Sequence, residues 1–172
     1  MSPALVTIVS AAALAAAGIA VATRGGEEPS AGPSRSVLDA LGPQAYAPGS
    51  ARAGAVVRAA GIPLPAGGNF NGIRWELAGS QISRAEMDFV LQYNAACQWL
   101  RAWKRGSVTA LGVFRRAASW SALRGGASRL AEVAAEANRG GGKDLTAMLG
   151  DCTSGHTREV AYARGLGLAP ST

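Results

Sequence analysis

Two cysteines and a single histidine are the residues of this 172-residue chain whose types are best suited to chemistry. Cys97 and Cys152 can form a disulfide, remain as two buried thiols, or bind a metal ion as thiolates. His156 follows Cys152 by four residues, so on a helix the two side chains share a face. A zinc site would also need Cys97, with Glu159 as a fourth ligand. We favour the disulfide because Cys97 already lies on the apolar face of a predicted helix.

A bond between Cys97 and Cys152 would connect positions 55 residues apart. On the chain-entropy model, such a cross-link contributes about 3–5 kcal/mol to the free energy of unfolding. A domain of this size buries a modest share of its surface and is often stabilised by a cross-link. An even pair of cysteines in a small domain is also typical of an oxidising, extracytoplasmic compartment.

Nucleophilic catalysis is the alternative use of these residues. His156 is the base that a Cys or Ser nucleophile would require, and Cys152 is the best placed nucleophile. We interpret Ser154 as a helix cap, and we assign the Glu86 carboxylate to a second cap rather than to a hydrolytic pair. The phosphate-loop, dinucleotide-binding and metalloprotease motifs are absent. The sequence therefore favours a non-catalytic protein without a cofactor.

Residues 81–168 are predicted to form the folded domain that positions the cysteines. Ser83 and Glu86 have the spacing of a capping box, which starts a helix expected from about 84 to 104. Its apolar stripe recurs at helical spacing, at Phe89, Tyr93, Ala96, Leu100 and Trp103. Further helices are expected after Ser107 and after Ser128, then over about 143–152 and 155–164. The fold class is all-α, a small bundle of four to five short helices.

Two segments precede the predicted bundle. Residues 24–68 are rich in Gly, Pro and Ala and are interpreted as a flexible linker, with helical spacing over 52–60. Residues 69–80 mix turn residues with large apolar ones and are expected to form an extended arm packed on the bundle. Asn94 is expected to hydrogen-bond to this arm near Trp75.

Residues 1–23 predict a transmembrane helix, because no charged side chain occurs between positions 3 and 22. About 20 helical residues, each rising 1.5 Å, match the roughly 30 Å hydrocarbon core of a bilayer. The alternative is a signal peptide cleaved near Ala22. We favour the uncleaved anchor, since no Lys or Arg precedes the apolar run.

The orientation of this predicted span receives conflicting signals. Arg24 and Arg35 follow the span, and the positive-inside rule then places the body of the chain in the cytoplasm. The cysteine pair and the long linker favour the extracytoplasmic side instead, which we prefer. A cytoplasm-facing, membrane-bound regulator is the corresponding alternative.

The charge balance indicates an anionic partner. Lys and Arg total 17 against 11 Asp and Glu, which gives a net charge of +6 and an isoelectric point near 10.1. The expected partners are the lipid bilayer through the N-terminal helix, a protein of a membrane or envelope complex, and an anionic polymer or lipid surface. Nucleic acid is not expected. The composition is typical of a GC-rich bacterial genome. The predicted contact surface consists of Trp99, Arg101, Lys104, Arg105, Arg115 and Arg116.

Overall fold

The computed structural model describes residues 45–77 and 81–172 of the chain. The predicted membrane segment, residues 1–23, and the first part of the predicted linker lie outside these residues. Within the described ranges, every helix is too short or too polar to cross a bilayer.

Five helices form the described part of the chain, which confirms the all-α prediction there. They are α1 (Pro48–Ala59), α2 (Arg84–Lys104), α3 (Ala110–Ala117), α4 (Ala127–Arg139) and α5 (Lys143–Gly165). Short 3₁₀ helices span Trp75–Leu77 and Ser121–Gly126. Two-residue strands, β1 (Ala45–Tyr46) and β2 (Ile82–Ser83), pair antiparallel. Helix α2 is central, because it packs against α1, α3 and α5.

The capping box predicted for α2 is present. The Ser83 hydroxyl accepts a hydrogen bond from the Glu86 backbone N–H, and the Glu86 carboxylate accepts one from the Ser83 backbone N–H. Two of the backbone donors that a helix start leaves unpaired are thereby satisfied. At the other end, Gly106 adopts a φ of 95°, a left-handed conformation that glycine accommodates without strain. The predicted bounds of this helix, 84 to 104, are confirmed.

Helices α2 to α5 enclose one apolar cluster, which we call the bundle core. It contains thirteen buried residues: Ala96, Cys97, Leu100, Phe114, Ala117, Leu123, Leu130, Val133, Ala134, Ala137, Leu145, Met148 and Cys152. Large side chains from four helices interdigitate with alanines, so the helices approach each other closely.

A second cluster, the N-terminal core, lies between α1, the arm and the first half of α2. It consists of Tyr46, Ala51, Ala55, Trp75, Met87 and Leu91. This finding corrects the flexible-linker interpretation for residues 45–68, which belong to the folded domain. The predicted arm contributes Trp75, which lies in a 3₁₀ helix and is 3% exposed. Phe70 and Ile73 pack against the same cluster.

Helix α5 is continuous, whereas the sequence pattern predicted two helices separated near Ser154. Its buried residues Leu145, Met148, Cys152 and Ala163 repeat on one face through the expected break. Thr153, beside that break, donates its hydroxyl hydrogen bond to the carbonyl of Leu149, four residues earlier, and so remains satisfied inside a helix. Packing of the buried face therefore overrides the helix-breaking signal of Ser and Gly.

The connection between α4 and α5 uses a carboxylate as a cap. Glu136 is buried, and its carboxylate accepts a 2.7 Å hydrogen bond from the backbone N–H of Leu145, in the first turn of α5. A Cβ at Gly142 would lie 2.0 Å from the carboxyl carbon of Glu136, so any larger residue there would force the carboxylate to move. The anionic side chain also interacts favourably with the positive end of the helix dipole.

Candidate functional site

Cys97 and Cys152 form a disulfide that joins α2 to α5, as the sequence predicted. Their Cα atoms are 5.2 Å apart, and both residues are buried in the bundle core. The alternative metal site of Cys97, Cys152 and His156 is contradicted, because zinc binds thiolates and not disulfide sulfurs. No cluster of three metal-ligating side chains occurs within residues 45–77 and 81–172.

His156 lies one turn after Cys152 on the continuous α5, but its hydrogen-bond partner is not Cys152. The Nδ1 atom of His156 is 3.4 Å from the hydroxyl of Ser171. Burial, together with the positive charges of Arg101 and Arg105, lowers the pKa of His156. Because the Cys152 sulfur is bonded to Cys97, the Cys152/His156 enzyme alternative has no thiolate to activate.

Four residues of the predicted contact surface are exposed cations, which we call the α2–α3 cations: Lys104, Arg105, Arg115 and Arg116. None of them forms an ion pair with an acidic side chain of the described residues. Each lies in the last turn of α2 or α3 or just after it, where a cation interacts favourably with the negative end of the helix dipole. The effect of the helix dipole is local, so the surface still presents four solvated positive charges.

The two other predicted surface residues have different positions. Trp99 is half-buried, and its indole N–H donates a 2.8 Å hydrogen bond to the carbonyl of Pro63, so it fixes the chain after α1. Arg101 is 6% exposed, and its terminal nitrogens lie 3.4 Å from the backbone oxygens of Cys152 and Thr172. Burial lowers the pKa of Arg101. Arg101 is therefore part of the interior and not of an open surface.

The structure reveals a cleft that the sequence analysis missed. It has a volume of about 630 Å³ and lies between α2, α5 and arm residues 72–74. The disulfide forms part of its wall, beside the buried Arg101. The remaining polar side chains at the cleft belong to Arg74, Tyr93, Asn94, Asp151, Ser154, Arg158 and Glu159.

A chain of hydrogen bonds holds Glu159 at this cleft. The side-chain amide of Gln98 donates to the backbone oxygen of Asn69 at 2.7 Å and to the side-chain oxygen of Asn94 at 2.8 Å. The amide of Asn94 in turn donates to a carboxylate oxygen of Glu159 at 2.5 Å. Burial raises the pKa of Glu159, against the opposing effect of Arg101. Asn94 thus reaches α5 instead of the region around Trp75, and the expectation for Asn94 is wrong.

Close packing of the arm completes the cleft. A Cβ at Gly72 would lie 2.5 Å from the Cβ of Glu159, so the arm backbone rests directly on α5 there. Asn94 and Gln98, four residues apart on the buried face of α2, are the sequence signal that a buried polar network exists. Nothing in the spacing of residues connects Gly72 to Glu159.

The comparisons identify no relative, since no family model, curated protein or solved structure matches the chain.

Proposed function

We propose that the protein is a membrane-anchored, non-catalytic binding module of a membrane or envelope complex, with its helical domain on the extracytoplasmic side. The observation that carries this proposal is the buried disulfide between Cys97 and Cys152. Disulfides persist in oxidising compartments and are rare in the reducing cytoplasm. The apolar segment 1–23 supplies the anchor in this proposal.

The contact surface of the module is the set of α2–α3 cations. These side chains are exposed and lack acidic partners among the described residues, so their positive electrostatic field extends into the solvent. An anionic partner would be an acidic protein face, a cell-wall polymer or a lipid headgroup layer. Trp99 and Arg101 support this surface from within and do not contact the partner.

The compartment is tested at an exposed position of the domain. Val108, between α2 and α3, is 96% exposed, so a Val108→Cys variant presents an accessible thiol without changing the core. Intact cells producing the full chain are treated with a membrane-impermeant maleimide, and parallel cells with a permeant one. Labelling by both reagents is the expected result. Labelling by the permeant reagent alone would place the domain in the cytoplasm and favour the regulator alternative.

The contact surface is tested with a matched pair of polymers, dextran sulfate and uncharged dextran, using the full chain in neutral detergent. We expect binding to dextran sulfate that weakens steeply as salt rises from about 0.05 to 0.5 M, because screening shortens the reach of exposed charges. The Arg115→Glu/Arg116→Glu variant should lose most of this binding, whereas Arg164→Glu on α5 should lose little. Salt-insensitive binding, or equal losses in the variants, would contradict the proposed surface.

A further inference from the structure

An apolar pocket adjoins the polar cleft described above. It has a volume of about 160 Å³ and is lined by Leu123, Leu130 and Met148 of the bundle core, with Phe89 and Tyr93 on α2. An apolar cavity of about 150 Å³ accommodates a benzene ring. The pocket and the cleft share Phe89, Tyr93 and Asp151 as lining residues, so they are adjacent, and we call the two together the groove.

The wall shared by the pocket and the cleft is aromatic. The rings of Phe89 and Tyr93 stack with centroids 5.8 Å apart and an interplanar angle of 16°. Phe89 is 49% exposed, although its position in the apolar stripe of α2 predicted a core residue. An exposed aromatic ring beside an apolar pocket is typical of a surface that receives an apolar ligand group.

The charge of the groove favours an anion. Four arginines line it, Arg74, Arg101, Arg129 and Arg158, against the two carboxylates of Asp151 and Glu159. Arg101 is buried, its Nε atom has no hydrogen-bond partner among the described residues, and its two other contacts are long at 3.4 Å. A buried cation with incomplete partners is costly, and a nearby negative charge lowers that cost.

We propose that this groove binds a small amphiphilic anion, with a ring or short alkyl group in the pocket and a carboxylate or phosphate group beside Arg158 and Arg101. The volume of the cleft lies within the range of about 300–1,000 Å³ usual for small-molecule sites. Two glycines provide a matched pair of variants. Gly126 lines the pocket and Gly125 does not, and a Cβ on either meets no atom within 4 Å. A leucine at position 126 is therefore expected to narrow the pocket, since its Cβ meets no clash, and circular dichroism of each variant checks that the fold is kept.

The test uses the full chain in neutral detergent and ligand-observed NMR with four water-soluble probes. Phenyl phosphate and phenylacetate are the anions, benzyl alcohol is the neutral analogue and phenethylamine is the cation. We expect the anions to bind at least about tenfold more tightly than the other two, as expected for one charge-assisted hydrogen bond. The tighter of the two anions identifies the headgroup.

Four variants locate the two ends of the ligand. Gly126→Leu and Phe89→Ala should weaken phenyl phosphate binding by about tenfold, and Gly125→Leu should not change it. Arg158→Gln should reduce anion binding by about tenfold without affecting benzyl alcohol, whereas Arg164→Gln, on the same helix but outside the groove, should have no effect. The proposal is overturned if no probe binds the wild-type chain, if the neutral or cationic probe equals the anions, or if the groove variants bind like their controls. None of these outcomes bears on the α2–α3 cations.

Discussion

The two cores of the domain are stabilised by different interactions. The bundle core combines long helices with a covalent bond between α2 and α5. The N-terminal core combines the twelve-residue α1, the arm and the first half of α2, and two ion pairs, Arg52–Glu76 and Arg58–Asp88, connect these elements. A disulfide constrains the unfolded chain, whereas an ion pair acts in the folded state against the cost of desolvation. The two cores should therefore respond differently to reduction, to packing changes and to acid.

The largest expected effect is loss of the disulfide from the bundle core. The Cys97→Ala/Cys152→Ala variant should lower the free energy of unfolding by about 4 kcal/mol, because the unfolded chain regains its loop entropy. Urea unfolding of the full chain, with and without reductant, measures this. Reductant should destabilise the wild-type chain by a similar amount and leave the variant unchanged. A loss below about 1 kcal/mol would show that the bundle does not depend on the cross-link for its stability.

The packing of the N-terminal core is tested at Gly54, the residue of α1 that faces Tyr46. A Cβ at Gly54 would lie 2.3 Å from the Tyr46 ring, so Gly54→Ala should destabilise this core by about 1–3 kcal/mol. Gly49 is the matched control, since a Cβ there meets nothing within 4 Å and Gly49→Ala should be neutral or slightly stabilising. Urea unfolding followed by circular dichroism measures both variants.

A double variant identifies the cause of that loss. If the clash with Tyr46 is responsible, Gly54→Ala should cost less in a Tyr46→Ala background than in the wild-type chain. Equal costs in both backgrounds would mean that the loss does not come from the Tyr46 ring. Trp75 lies in the N-terminal core, whereas Trp99, Trp103 and Trp120 pack on the bundle core. A single transition that coincides by tryptophan fluorescence and by circular dichroism would therefore show that the two cores unfold as one unit.

The contrast between the two cores also explains which helices could be predicted from the sequence. The capping box and the regular apolar stripe of α2 are local signals, and they predicted its bounds. Helix α1 misled the sequence analysis because it buries Ala51 and Ala55 while Val56 and Val57 are 71% and 64% exposed. Small residues carry little periodic signal, so a helix that uses them for close packing resembles a linker.

The residues of the candidate site show the same contrast between local sequence signals and long-range contacts. The Cys97–Cys152 pairing was predictable because few cysteines are present and both fall on helices. The approach of Gly72 to Glu159 joins the arm to α5 across more than eighty positions, and no local pattern encodes it. The burial of Arg101 was missed for a related reason. The elements that cover it, around Cys152 and Thr172, come from distant parts of the chain.

The ion pairs also test what stabilises the N-terminal core, with a smaller expected change in the free energy of unfolding. The Arg58–Asp88 pair is bidentate, and about a quarter of each side chain is exposed. Asp88→Asn should lower the free energy of unfolding by about 1–2 kcal/mol, because the guanidinium loses a charged partner. The control is the Arg139–Glu132 pair, whose side chains are 60% and 53% exposed. Glu132→Gln should change stability by less than about 0.5 kcal/mol. Equal losses would show that burial does not strengthen the Arg58 pair.

The smallest expected effects come from two carboxylates, Glu76 in the arm and Glu159 at the cleft. Hydrogen bonds from Arg52, and then from Tyr162, lower the pKa of Glu76 to about 2. Its ionised form therefore stabilises the folded state above the usual pKa near 4.5, and this contribution is lost as pH falls from 4.5 towards 2. Because the Glu76 side chain is 45% exposed, the contribution should be below about 1 kcal/mol. Glu76→Gln should be slightly less stable than the wild-type chain at pH 7 and equal to it near pH 2.

Glu159 should show the opposite sign. Burial raises its pKa, so the folded chain holds the Glu159 proton more tightly than the unfolded chain does. The ionised form then costs stability at pH 7, and that cost disappears as pH falls below the range in which the unfolded side chain titrates. Glu159→Gln keeps an oxygen that can accept the hydrogen bond from Asn94, so it should be slightly more stable than wild type at pH 7 and equal to it in acid. Thermal unfolding between pH 2 and pH 7 measures both variants. A Glu159→Gln chain that is less stable at pH 7 would show instead that the attraction between Glu159 and Arg101 outweighs burial, and that the cleft contains a stabilising ion pair.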